Sequence, residues 1–238
     1  DLPRDNSGKK GFTDREISGL SRAYGGMQYQ GREIAPGLPL GAELTGLSYK
    51  RHSFIPSSPA SAWEGRVIPD KRGLVVSQLI MDSWFRYVLF DTDEPEFDWR
   101  ALELETALPK LDVKAAMLSG RETDLSPYQQ RGGKLLLYTG WGDVGVNPYF
   151  IKKYYDEVLQ TTGPDTSKFA RLFMIPGMFH CKGGYNVDRF DGMTSLINWV
   201  EAGHAPDRII GKRLKGSKVT RSRPLCPYPK VASYVGKG

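Results

Sequence analysis

Apolar positions fall into two regimes along this chain. Through the first half they are irregular and broken by Gly, Pro and Ser; beyond Arg131 they form short blocks of regular period, each closed by Gly or Pro. Lys134-Leu-Leu-Leu-Tyr is a continuous apolar run closed by Gly140, the pattern of a strand buried on both faces of a parallel sheet. A helix follows from about Pro148, a favoured first position, with Phe150, Ile151, Tyr154, Tyr155, Val158 and Leu159 on one face and Gly163-Pro164 as its stop. Ala170-Arg-Leu-Phe-Met-Ile is a second strand running into Pro176-Gly. A last helix opens near Asp188 or Asp191, sets Met193, Leu196, Ile197 and Val200 at i, i+3, i+4 and i+7, and ends near Gly203. Strand, helix, strand, helix with short links predicts an α/β sheet.

The first half is less regular. Phe12, Ile17, Leu20 and Tyr24 have helical spacing behind a possible Thr13 cap, and Gly25-Gly26 ends the run. From Gly31 to about Ala62 the wealth of Gly, Pro and Ser predicts extended loops. Trp84-Phe-Arg-Tyr-Val-Leu-Phe and an acidic stretch over 91–98 precede a weakly helical run from Asp98 to about Leu108. Irregular aromatic sequence of this kind suits a lid over a substrate; ordinary core burial of Trp84 and Phe85 accounts for it equally well.

With 238 residues, 39% of them hydrophobic, the chain is large enough to bury a core. No apolar run approaches the roughly 18 residues that span a bilayer, so no membrane partner is expected. The chain starts at Asp1, and its first ten residues lack the apolar core of a secretory signal, so a preceding segment is expected to exist or to have been removed. The net charge of +6 owes much to Lys212, Arg213, Lys215, Lys218, Arg221 and Arg223. Such a cluster either binds an acidic partner or is a solvated terminal loop. No RNA-binding or helix-turn-helix pattern accompanies it, so no nucleic-acid partner is expected. Two cysteines, Cys181 and Cys226, set no disulfide framework by themselves and form no metal-like pair.

Functional groups of open α/β sheets collect at the carboxyl ends of the strands, and both unusual loops lie there. Gly140-Trp-Gly-Asp143 follows the first strand directly, so Asp143 stands where a carboxylate can orient an imidazole; a turn or helix-cap role is the alternative. Pro176-Gly-Met-Phe-His180-Cys181 follows the second, with Gly177 available for a positive φ. A lone histidine there is more often structural, and His52 and His204 lack a comparable setting; the pairing with Asp143 lifts His180. Acid and base on successive loops reproduce the second half of the Ser…Asp…His order found on α/β-hydrolase sheets. His180 would then deprotonate a serine and later protonate the leaving alcohol, with Asp143 fixing its tautomer. No Gly-x-Ser-x-Gly occurs. Gly19-Leu-Ser-Arg-Ala and Gly46-Leu-Ser-Tyr-Lys match it in part, neither behind a buried strand, so the serine is expected on a second polypeptide.

Three longer motifs sharpen this. Arg131-Gly-Gly-Lys-Leu-Leu-Leu-Tyr-x-Gly-Trp-Gly-Asp143, Phe169-Ala-Arg-Leu-Phe-Met-Ile-Pro-Gly-Met-Phe-His180-Cys181 and Arg221-Ser-Arg-Pro-Leu-Cys-Pro-Tyr-Pro-Lys closely resemble the tannase and feruloyl esterase family. Gly11-Phe-Thr to Glu43, with Tyr24, Gly37 and Gly41-Ala-Glu, resembles the family's lid, so the match runs through essentially the whole chain. The resemblance implies an α/β hydrolase with a lid inserted before the acid: 1–128 the remainder of the lid, 129–238 the C-terminal part of the catalytic domain. It implies hydrolysis of aromatic carboxylic esters, galloyl esters of tannins first and feruloyl esters as the alternative, with Asp143 and His180 as acid and base.

The resemblance also implies a disulfide from Cys181 to a cysteine beside the nucleophilic serine. Such a bond typically adds about 2 to 5 kcal/mol and belongs to an oxidising, extracellular setting. Its partner is expected on the N-terminal chain of the same precursor, as in fungal tannases that are cut into two linked chains. No cofactor is expected in this chain; a structural calcium is expected in the part of the lid outside it. Cys226 stays open: free, paired outside the chain, or bonded to Cys181. No substrate-binding residue is singled out among Trp84, Arg86, Tyr87 and others. A noncatalytic binding or regulatory module, lacking a nucleophile, is the competing class.

Overall fold

Thr13 caps the first helix as its spacing predicts. In the computed structural model, which describes residues 13–42 and 76–236, α1 (Asp14–Gly25) opens on a reciprocal cap. The Glu16 N–H donates to Thr13 Oγ1 at 3.3 Å, and the Thr13 N–H donates to the Glu16 carboxylate at 2.8 Å. The next segment departs from the expected extended loops. Strands β1 (Met27–Tyr29) and β2 (Arg32–Ala35) form an antiparallel hairpin around Gln30 and Gly31, whose φ values of 50° and 78° are those of a primed two-residue turn. The loops expected over 43–62 lie outside the described residues.

The aromatic segment is helical rather than irregular. It ends α2 (Val76–Tyr87), and Trp84 and Phe85 meet edge to face at 5.5 Å, both half-buried. Arg86 turns back so that its Nε donates to the Phe97 carbonyl at 3.1 Å, tying down the acidic stretch. After a 3-10 turn at Trp99–Ala101, α3 (Leu104–Leu118) starts later and runs well past the expected end, carrying Pro109 in its second turn.

The short α4 (Ser126–Gln130) leads into the sheet. Strands β3 (Leu135–Gly140) and β4 (Ala170–Ile175) pair in parallel, from Leu135 opposite Ala170 to Gly140 opposite Ile175, and α5 (Pro148–Thr162) is their crossover. The N-cap of α5, Asn147, accepts the Tyr149 N–H at 3.0 Å and donates through Nδ2 to the Gly37 carbonyl at 2.9 Å, joining the first segment to the sheet. Tyr155, Phe169 and Leu172 form one core and Phe173, Ile175, Met178, Val187 and Leu225 another, on opposite faces of β4. Tyr155 donates to the Ala170 carbonyl at 2.8 Å, and burial pushes its phenol up to about 12. β3 is half-buried over its leucines instead of buried on both faces, because among the described residues only β4 pairs with it.

Helix α6 (Gly192–Ala202) is capped by Asp191, whose carboxylate accepts the Thr194 N–H at 2.9 Å. Its buried residue is Trp199, flanked by Lys134 and Arg171, whereas Met193, Ile197 and Val200 of the expected apolar face are exposed. The basic tail is not a solvated loop. Strands β5 (Ile209–Lys215) and β6 (Lys218–Leu225) form an antiparallel hairpin turning at Gly216-Ser217, with Ile209, Gly211 and Leu225 facing the core. The chain then lies against β4, where the Tyr228 N–H donates to the Leu172 carbonyl at 2.7 Å. No helix among the described residues is long and apolar enough to cross a membrane.

Candidate active site

Both sequence-selected loops leave the same end of the parallel pair. Behind β3, the Trp141 N–H donates to the Ile175 carbonyl and the Gly142 N–H to the Met178 carbonyl, each at 3.0 Å, so the acid loop is laid directly on the base loop. Gly140 permits this approach: a Cβ there would stand 2.2 Å from the Met178 carbonyl oxygen.

Asp143 combines the two roles that its position left open. Its Oδ1 accepts the N–H groups of Gly145 and Val146, at 2.7 and 2.9 Å, closing the turn that leads to α5. Its Oδ2 lies 2.8 Å from His180 Nδ1. A carboxylate can only accept, so with Asp143 in that form the contact is one in which Nδ1 donates, and a neutral ring then has Nε2 as its proton-accepting nitrogen. The aspartate side chain is 6% exposed and the imidazole 30%, so the acid is sealed behind the base.

The base loop turns at Gly177, with the expected positive φ of 68°. Its limbs are cross-bonded by the Phe179 N–H to the Gly183 carbonyl and the Tyr185 N–H to the Gly177 carbonyl. Cys181 is exposed, and its φ of 64° puts it in the left-handed region. That conformation costs a side-chain-bearing residue roughly 1 to 2 kcal/mol and tends to occur at functional loops. Cys226 is half-buried and not bonded to Cys181, so that pairing is not formed.

His204 lies just beyond α6, exposed, and has no part in the pair; His52 is outside the described residues. Ser21, of the partial Gly-x-Ser match, sits within α1 rather than on a strand-to-helix turn, and Ser48 lies outside the described residues. Among the described residues no group of three His, Cys, Asp or Glu is arranged to hold a metal ion. Chemically, the pair can accept a proton at Nε2 and stabilise the imidazolium that results.

The model of the family described as "Tannase and feruloyl esterase" matches residues 4–238. The chain belongs to this family. A mono(2-hydroxyethyl) terephthalate hydrolase of Piscinibacter sakaiensis is 45% identical over 119 residues, covering 49% of the chain and 20% of that protein. A probable feruloyl esterase B-1 of Aspergillus oryzae is 34% identical over 175 residues, covering 66% of the chain and 32% of that protein. The crystal structure of feruloyl esterase B from Aspergillus oryzae overlies 96% of the chain and 45% of its own with a TM-score of 0.74 and 26% identity. Tannin acyl hydrolase from Aspergillus niger shares the fold, at a TM-score of 0.61 and 18% identity, over 92% of the chain and 40% of its own. These likenesses identify the sheet as α/β-hydrolase-like. The chain thus spans between a fifth and a third of the curated relatives above (20% and 32%), and under half of the solved ones.

Proposed function

We propose that this chain supplies the acid and base of a serine-type carboxylic ester hydrolase. The observation that carries the reading is the 2.8 Å contact between His180 Nδ1 and a sealed Asp143, built on the strand ends of a family sheet. Nε2 of His180 takes the proton of a serine as its oxygen attacks the ester carbonyl, then gives it to the departing alcohol. The same base activates water to hydrolyse the acyl-enzyme, with Asp143 holding the tautomer throughout.

The serine is assigned to a segment outside these 238 residues. The absence of Gly-x-Ser-x-Gly from the sequence and the much greater length of the relatives support this. We place it on an N-terminal chain of the same precursor, joined through Cys181, in an extracellular setting where the disulfide persists. Exchanging Cys181 for serine should release a separate partner under non-reducing conditions, read as two masses where wild type gives one. Retained covalent linkage would move the bond to Cys226.

The acyl group is assigned to the planar aromatic acids. The relatives' names join feruloyl, terephthaloyl and tannin esters, which supports the aromatic class, with the feruloyl esterases among the curated relatives supporting feruloyl esters beside the galloyl esters that the resemblance implies. A galloyl pocket needs several buried polar partners for its hydroxyls, and their absence penalises that substrate steeply. The test is hydrolysis by the full-length protein of methyl ferulate, mono(2-hydroxyethyl) terephthalate, methyl gallate and ethyl butyrate. Turnover of one or more aromatic esters, with kcat/KM at least about a hundredfold above ethyl butyrate, is expected. Preference for the aliphatic ester would reject the aromatic class, and no hydrolysis of any ester would reject the enzyme reading.

A further inference from the structure

Two basic residues of the β5–β6 hairpin are half-buried, Arg213 and Arg223, while Lys212, Lys215, Lys218 and Arg221 are exposed. Arg213 is the one whose guanidinium is turned to the base loop. Its Nη1 donates to the carbonyl of Gly184 and, at 2.8 Å, to that of Asn186. Gly184 is the residue whose backbone bridges antiparallel to Met178, two positions before His180. The limbs touch backbone to backbone there: a Cβ on Gly184 would stand 1.9 Å from the Gly177 carbonyl oxygen. A second tether lies alongside, where Asp188 accepts the Gly183 N–H at 2.8 Å and its own N–H donates to the Lys212 carbonyl at 3.1 Å.

We propose that Arg213 is a positioning residue for His180, holding the outgoing limb of the base loop so that the imidazole meets Asp143. The guanidinium suits the task because one planar, permanently charged group can serve two carbonyls that diverge from a turn, whereas an ammonium on a flexible stem fixes neither direction. Without it the limb 183–186 keeps its cross-bonds to 177–179 and the Asp188 tether to β5 at its Gly183 end, but the Gly184 and Asn186 carbonyls lose their anchor, and the loop can pivot about the tether that remains. A displacement of about 1 Å at a reacting group costs on the order of a hundredfold in rate, so a small pivot has a large effect.

The test uses Arg213→Met and Arg213→Lys in the full-length protein, with two readouts. The first is steady-state kinetics, where kcat falls by about ten- to a hundredfold in the methionine variant, KM stays within about twofold, and lysine restores part of the loss. The second is the low-field proton resonance of His180 Nδ1–H, which is expected in wild type, broadened or lost in Arg213→Met and weakened in Arg213→Lys. This signal needs neither serine nor substrate. It therefore reports positioning even if the full-length protein hydrolyses no ester, and the failure of the hydrolase reading stays distinct from the failure of this one. A merely structural role would lower the thermal midpoint while leaving kcat per folded molecule and the resonance at wild-type values, and that result overturns the proposal. Should Arg213→Met fail to fold, Arg213→Lys decides by the same readouts: a reduced kcat with a weakened resonance supports the role, and wild-type values of both overturn it.

Discussion

His180→Ala in the full-length protein is expected to reduce kcat for ester hydrolysis by on the order of a millionfold, with KM little changed. The size follows from the role proposed for Nε2, which handles the proton in every step: without it the serine stays protonated and the alcohol leaves as an alkoxide. Alanine has a second effect that must be separated from the first. It leaves the Asp143 Oδ2, buried behind the ring, without the donor it has at 2.8 Å, and an unsatisfied buried acceptor costs about 1 to 3 kcal/mol. His180→Gln can present an amide N–H to the carboxylate but offers no basic nitrogen. The glutamine variant is therefore expected to melt closer to wild type than the alanine variant while being equally inactive. Turnover within about a hundredfold of wild type in either variant would remove His180 from the mechanism.

The meeting of Asp143 with His180 was legible because each residue is bound to its strand by few others. Gly140 closes β3 and Asp143 comes three residues later; Ile175 ends β4 and His180 comes five residues later. With so little chain between, two parallel strands in register bring the loops together without help from the rest of the fold. Short-range devices such as the Thr13–Glu16 cap and the Asn147 and Asp191 caps are legible for the same reason.

Other elements were hidden by chemistry that outweighs periodicity on inspection. The β5–β6 hairpin carries so many lysines and arginines that it reads as a solvated tail, although Gly216-Ser217 is a two-residue hairpin signal and Ile209, Gly211 and Leu225 alternate inward. The turn at Gln30-Gly31 gave less notice, since glutamine is not a residue favoured at positive φ. Pro109 suggests a stop, yet α3 runs through it, and the aromatic cluster of α2 shows helical spacing only when joined to the residues before it. In α6 the apolar stripe points outward because Trp199, the largest side chain, takes the buried position between two cations. Arg213 was visible only as charge. Its importance comes from the hairpin turning it inward, a consequence of register that composition does not carry.

Asp143→Asn tests whether the acid acts through its charge and acceptor character or only through the turn it closes. Asparagine retains a carbonyl oxygen in the place of Oδ1, so the N–H groups of Gly145 and Val146 keep their acceptor and the loop keeps its shape. The other branch changes from acceptor to donor and faces His180 Nδ1. Two donors cannot share that 2.8 Å contact, so the ring must shift its proton to Nε2, the nitrogen that has to be empty to receive one from serine. The fold therefore survives, with a thermal midpoint close to wild type, while kcat drops by on the order of ten-thousandfold and the low-field Nδ1–H resonance disappears. Asp143→Ala behaves differently, because it also strips two backbone donors of their acceptor and should cost about 1 to 3 kcal/mol of stability besides the activity. An asparagine variant that keeps turnover within about tenfold of wild type would show that Asp143 serves the turn alone, and the second half of the Ser…Asp…His order would then have to be sought on another carboxylate.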